Sequence, residues 1–367
     1  MMKLYMRVLG IETSCDETAC AVVEEGRTIR SNCISSSLKE HRPYGGVVPE
    51  IACRSHLESI LPVVDQALQD SGLGFRDLHL VAATDGPGLA GALLVGVTVA
   101  KTISFSQGIP FVGVNHLHAH LAASLMGETS SPFPLLGLVV SGGHTALYEI
   151  SDYDHFCLVG QTHDDACGEA FDKVAKILGL GYPGGPVIEA RAREGNRRAF
   201  SFPSPLLKDH PFDFSFSGLK TAVLYKAREL ERAQSSVHSA QKGKIRIEGE
   251  RQGVEKGFSE LYALSPEPSQ LSSELCALSP VVINDLCASF QGVVVDALVE
   301  RSLQACRHLG LRRLIVGGGV IANQALRAAL EGRFRAEGLR VTFPPRALSL
   351  DNAAMVAGLG YHLYRNR

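Results

Sequence analysis

Apolar residues recur along this 367-residue chain with two periods, and the changes of period outline its elements. Apolar positions three and four apart predict helices over 56–68 (HLESILPVVDQAL), 90–106, 167–180 with Gly181 closing it, 283–310 and 351–365. Short continuous apolar runs predict strands at 78–88 (LHLVAATDGPG), 110–115 (PFVGVN) and 311–319 (LRRLIVGGG). Strands alternating with helices imply an α/β fold, in which ligands bind at the carboxyl ends of parallel strands. The last helix is expected to return and pack on the first domain.

Two stretches repeat one another. LGIETSCDETA (9–19) and LGLVVSGGHTA (136–146) match without a gap at Leu-Gly, at Ser14 against Ser141, and at Thr18-Ala19 against Thr145-Ala146. Each reads as a strand, a small polar turn and a second strand (CAVVEE, LYEI). The expectation is two similar α/β domains facing one another: 1–135 completed by 351–367, and 136–350.

Within VGVNHLHAHLAASL (112–125), Asn115 can cap a helix, and Leu117, Leu121 and Leu125 then form one buried stripe. At about 100° per residue, His116 and His120 sit one turn apart, and His118 points to nearly the opposite side. The pair can offer two imidazoles to one metal ion or serve as hydrogen-bonded core histidines, and spacing alone leaves both open. The zinc-protease pattern H-E-x-x-H fails, because Leu117 stands where the catalytic Glu belongs. A metal would need a third ligand from elsewhere; Asp351 in SLDNAAM is a candidate.

Glycine clusters at SGGHT (141–145), YPGGP (182–186) and VGGGVIAN (316–323) are turns whose N–H groups can cradle phosphates. Three in a duplicated fold point to a nucleotide crevice between the domains. GLGYPG (179–184) matches a dinucleotide fingerprint only nominally, since it follows a helix and contains Pro183. Residues 226–280 are polar, mixed in charge and then rich in Ser and Pro, which predicts a surface insertion, helical at its start.

Composition narrows the setting. With 45% hydrophobic residues the chain is globular, and a net charge of −2 gives no global basic field. A polyanion partner would need a local patch, and the best is EARAREGNRR, with Arg191, Arg193, Arg197 and Arg198. Nine cysteines without a C-x-x-C pair fit a reducing cytosol. Glu12 interrupts any leader-like apolar region, and the apolar run at 88–100 is too short to span a bilayer. A soluble cytoplasmic protein is expected, with no membrane association.

Taken together, GIETSCDET, GGVVPEIACRSH, DGPGLAGALLVG, VNHLHAHL, VSGGHT, DDACGEAFDKVAK, YPGGP, FSFSGLKTAV and DNAAM closely resemble the bacterial TsaD enzymes. These motifs cover nearly the whole chain in order, except 226–280, which is longer than the family's usual linker. The resemblance implies two duplicated actin-like (ribonuclease H-like) domains of the actin, Hsp70 and sugar-kinase superfamily. It implies transfer of a threonylcarbamoyl group from threonylcarbamoyl-adenylate to the exocyclic amine of the adenosine beside the anticodon, in tRNAs reading codons that begin with adenine. It implies one divalent metal ion, iron or alternatively zinc, held by His116, His120 and Asp351. The substrate contacts it carries over are Val139, Val140, Ser141, Gly142, Gly143, Asp172, Gly185 and Asn323. Partners would be tRNA, a TsaB-like silent relative and a TsaE-like ATPase, with no DNA. Asp16 and Glu17, in the first strand turn, are candidates to orient the incoming amine or take its proton. Competing readings are a non-catalytic nucleotide-binding scaffold, which would not need the His-His-Asp set, and a metalloendopeptidase, which lacks its Glu.

Overall fold

A computed structural model describes residues 5–128, 133–207, 209–249 and 278–367. Of the expected insertion, residues 226–249 belong to the helix Ser217–Gly249, and 250–277 lie outside the described residues.

The repeat in the sequence is a repeat in topology. The first sheet contains β1 (Arg7–Glu12), β2 (Glu17–Glu24), β3 (Thr28–Ser36), β4 (Leu80–Gly86) and β5 (Phe111–Asn115), in the order β3-β2-β1-β4-β5. The second contains β6 (Leu135–Val140), β7 (Thr145–Asp152), β8 (His155–Gln161), β9 (Arg313–Gly317) and β10 (Arg340–Thr342), in the order β10-β9-β6-β7-β8. β1 pairs antiparallel with β2 and parallel with β4, as β6 does with β7 and β9. The matched segments therefore occupy corresponding places, and the expected duplicated α/β fold is present. β3 and β8 lie at sheet edges with mixed exposure, so they carry no apolar run for the sequence to reveal.

The helices are α1 (Leu38–His41), α2 (Pro49–Ser71), α3 (Ala90–Gln107), α4 (His116–Ala122), α5 (Cys167–Ile177), α6 (Gly184–Ala192), α7 (Ser217–Gly249), α8 (Pro280–Leu309), α9 (Gln324–Ala336) and α10 (Ala353–Arg365). The helix expected over 56–68 is longer at both ends, starting on Pro49 and stopping where Gly72 takes φ +68°. The helix expected to close at Gly181 ends at Ile177, because Gly179 takes φ +67° and Leu180 N donates to Ala175 O. α3 and α8 are apolar and long enough to cross a membrane by composition. α3 nevertheless packs on β4 and α2, placing Ala92, Val95, Ala100 and Ile103 in the core.

Two compact units are present. The first (Met1–Ala170, Pro205–Phe216, Val294–Arg367) holds both sheets. The second (Phe171–Ser204, Ser217–Val293) is helical, with Phe171 and Phe290 meeting edge to face, ring centroids 5.0 Å apart.

In the first unit, α10 lies on the first sheet and comes so close that only glycine fits at Gly10: an added Cβ would stand 2.3 Å from Ala353 O. α4 has two apolar sides. Ala119 and Ala122 join the core of the first sheet and α10. Leu117, Leu121 and Leu125 face Leu135, Val139, Ile150 and Ile315 of the second sheet. α4 thus carries its histidines between the two sheets.

Candidate metal centre and the turns around it

Asn115 caps α4 as expected, its Oδ1 accepting from Leu117 N and His118 N at 2.9 and 3.2 Å. The helical phase separates the three histidines as spacing predicted. His116 and His120 stand together, ring centroids 4.6 Å apart, and both are buried. His118 turns to the second sheet, stacked on Phe156 at 3.9 Å with Tyr148 at its edge. Burial pushes its pKa down to about 4, so it is a neutral packing group.

Asp351 arrives from the loop before α10. The next residue fixes that loop: Asn352 is fully buried, its Oδ1 caps Met355 N, and its Nδ2 donates to Leu348 O and Leu350 O. Asp351 Oδ1 then stands 3.0 Å from His120 Nε2 and 3.7 Å from His116 Nε2. The three side chains offer ligand atoms that all lie within 4.8 Å of one another.

His120 supplies the test of fit. It is 1% exposed, and neither ring nitrogen has a hydrogen bond among the described residues. The 3.0 Å approach of Asp351 is close enough for an ion pair but does not make a hydrogen bond. An unsatisfied buried polar atom costs about 1–3 kcal/mol, a cost removed if the nitrogen ligates an ion. Two imidazoles and a carboxylate are a donor set suited to iron or zinc. The residues fit a metal.

Sequence reasoning passed over Glu12. This carboxylate at the end of β1 is fully buried. It accepts from Ser14 N at 2.6 Å, from Thr84 Oγ1 at 2.5 Å, and meets His116 Nδ1 at 3.1 Å. A carboxylate on the far nitrogen of a ligating imidazole fixes the tautomer and aims the near nitrogen. The available signal was a charged residue ending the apolar run Val8–Ile11. Burial opposes the charge on Glu12, yet His116 outweighs it and holds the carboxyl below its ordinary range. Burial likewise opposes the charge on His116, and Glu12 and Asp351 overcome it, raising the imidazole to about 9. Asp351 is held well below the usual carboxylate range by His116 and His120, again against burial.

The remaining expected residues fall in several places. Val139 and Val140 are buried at the end of β6, and Ser141 closes the following turn, its Oγ accepting from His144 N at 3.1 Å. Gly142 and Gly143 have nothing within 4 Å of an added Cβ and no positive φ, so neither packing nor backbone requires glycine there. Close approach of a ligand is a reason that remains. The buried side chain of Asn323 caps α9 by accepting from Leu326 N at 3.0 Å. In the second unit, Asp172 Oδ1 accepts from Gly184 N at 2.7 Å, which brings it beside Gly185. Arg191, Arg193, Arg197 and Arg198 are exposed in that unit, with Arg193 paired to Glu189 at 3.0 Å. Asp16 and Glu17 sit where β1 turns into β2. Burial and the neighbouring Asp16 push Glu17 up to about 9.

An α/β chain with two copies of one five-stranded sheet has the duplicated actin-like fold. HypF from T. kodakarensis has this fold, with TM-score 0.59 at 12% identity over 99% of this chain and 48% of that one. A full-length HypF in a phosphate- and nucleotide-bound form matches with TM-score 0.57 at 12% identity, over 98% of this chain and 55% of that one. The chain spans about half the length of these two structures. Residues 28–358 match the TsaD family model, tRNA N6-adenosine threonylcarbamoyltransferase, and the chain belongs to that family. Relatives carrying that name include one from Anaeromyxobacter dehalogenans, 47% identical over 97% of this chain and 93% of its own length. Another, from Syntrophotalea carbinolica, is 46% identical over 97% of this chain and 92% of its own.

Proposed function

We propose that this chain transfers the threonylcarbamoyl group of threonylcarbamoyl-adenylate to N6 of the adenosine next to the anticodon, in tRNAs that read codons beginning with adenine. The observation that carries the metal-dependent form of this reading is His120, a buried imidazole with no hydrogen bond among the described residues, beside His116 and Asp351 in a TsaD-family chain. A silent scaffold would have no reason to keep such a group. A peptidase would need a general base that Leu117 replaces.

His116, His120 and Asp351 would hold one divalent ion, iron or zinc. Bound there, such an ion supplies a Lewis acid for the donor's carboxylate and carbamoyl oxygens. The chain's own groups do the rest. Glu12 holds the His116 proton on Nδ1 and leaves Nε2 as the ligand. The turn Val139–Gly143 offers backbone N–H groups to the adenylate phosphate, and Asn323 is the residue of the first unit placed by family resemblance on the nucleoside. Asp172 and Gly185 of the second unit are substrate residues by the same resemblance. The adenosine amine attacks the carbamoyl carbon, the N–C bond forms, the C–O bond to phosphate breaks, and AMP leaves with the electron pair. Asp16 and Glu17, where β1 turns into β2, are the groups assigned to orient the amine and take its proton.

The two sheets are read as two actin-like lobes, 1–135 with 351–367 and 136–350, in a cytoplasmic protein working with TsaB-like and TsaE-like partners. Arg191, Arg193, Arg197 and Arg198 are assigned to the tRNA phosphates. The test is transfer in vitro from synthetic threonylcarbamoyl-adenylate to tRNA, read by nucleoside mass spectrometry. The modified nucleoside should form with the wild-type chain and its partners and fail with His120→Ala. Equal product from folded His120→Ala would remove the metal triad from the reaction.

A further inference from the structure

We infer that His163, His210 and Asp213 form a second divalent-metal site, separate from His116, His120 and Asp351 and open to solvent. All three residues belong to the first unit. They are brought together by backbone pairing that leaves their side-chain tips facing one another. Phe214 N donates to Gln161 O and His163 N to Phe214 O, both at 3.0 Å, so the segment before α7 is stitched to the end of β8. Gln161 N also donates to Asp213 Oδ1 at 2.8 Å, which spends that oxygen on the frame and turns Oδ2 outward. Both imidazoles converge on Oδ2: His163 Nε2 at 2.6 Å and His210 Nδ1 at 3.6 Å. The rings stand 5.0 Å apart at 49°, and the three ligand atoms lie within 4.8 Å of one another.

Two neutral imidazoles with one carboxylate oxygen select borderline transition ions, zinc, cobalt, nickel or copper, over magnesium and calcium, which prefer all-oxygen sets. Metal–nitrogen and metal–oxygen bonds of about 2.0–2.2 Å require these atoms to stand further apart than the 2.6 Å His163–Asp213 contact. The ion would therefore replace that hydrogen bond, with His163 and Asp213 opening by roughly half an ångström to one ångström. The room for this exists, because the side chains of His163 and His210 are 45% and 57% exposed. Three protein ligands leave further positions to water. The ion would clamp the segment 205–216 to β8, the stretch that leads directly into α7.

The test is metal titration of the full chain, zinc competing against a chromophoric chelator, with bound equivalents counted per chain. His210→Ala is the cleanest variant, since the imidazole makes no hydrogen bond to the frame among the described contacts and its loss leaves the Gln161–Asp213 and Phe214 pairings intact. His163→Ala is the second. In a His120→Ala background, which disables the first site, one equivalent of zinc should remain. Adding His210→Ala or His163→Ala should weaken that equivalent by about tenfold or more. In the wild-type background each should weaken one equivalent to the same extent and leave any other in place. An unchanged count and affinity in both variants would overturn the second site. Loss of zinc through His120→Ala alone, with His210→Ala silent, would overturn it while leaving the first site standing.

Discussion

Replacing Glu12 by Gln changes one oxygen for an amide in a sealed place, and the hydrogen bonds say what must follow. The two carboxylate oxygens have separate duties: Oε1 takes Ser14 N, while Oε2 takes Thr84 Oγ1 and His116 Nδ1. If the glutamine keeps its oxygen toward Ser14, its NH2 faces His116 and donates into Nδ1. The imidazole proton is then driven to Nε2, where it blocks the ligand position beside Asp351. If the amide flips, its NH2 meets the Ser14 N–H donor to donor, at a cost of about 1–3 kcal/mol for the unsatisfied pair. Either orientation harms the site. Removal of a partner behind a metal-bound histidine lowers metal affinity by about 10–100-fold, equivalent to roughly 1.4–2.7 kcal/mol. Chelator competition on purified wild type and Glu12→Gln measures this, with circular dichroism confirming that the variant is folded. An affinity within about twofold of wild type in folded Glu12→Gln would refute the tautomer argument, because the expected loss is tenfold at least.

His118→Ala should keep the metal and lose about 1 kcal/mol of stability with its stack on Phe156; elemental analysis and a urea midpoint read the two effects, and metal loss equal to that of His120→Ala would contradict the helical phase. His362, stacked on Tyr153 at 3.7 Å, is pushed down to about 4 by burial and by Arg27, with Asp152 opposing. Because its folded pKa lies below the unfolded 6.5, its contribution is complete above pH 6.5 and is lost as pH falls toward 4. His362→Phe should therefore flatten the acid fall in melting temperature across that window, and an unchanged slope would be the contrary result. Reversing Arg197 and Arg198 to Glu should weaken tRNA binding and flatten the dependence of log affinity on log salt, with adenylate affinity unaltered; an unchanged slope, with and without partner proteins, would remove the patch.

Much of the centre was legible because helical geometry is rigid. Asn115, the leucine stripe and the His116/His120 pairing follow from residue spacing, and all are present. The duplication was legible because β1 and β6 are buried central strands whose side chains are constrained alike. β3 and β8 were not, since edge strands facing solvent need no apolar pattern. Glu12 was missed for a different reason. Its role depends on Thr84 and His116, which are distant in sequence and meet it only in the folded sheet. The His163, His210 and Asp213 cluster is of the same kind, assembled by pairing between β8 and a segment some fifty residues later.

The central claim is that this chain places threonylcarbamoyl groups on tRNA through a centre built on His116, His120 and Asp351. The most direct measurement is mass spectrometry of tRNA nucleosides from cells depleted of the protein, then resupplied with wild type or His120→Ala. Depletion should remove threonylcarbamoyl-adenosine, wild type should restore it, and His120→Ala should not. An undiminished level of that nucleoside in depleted cells would contradict the assigned function, and full restoration by His120→Ala would contradict the assigned centre.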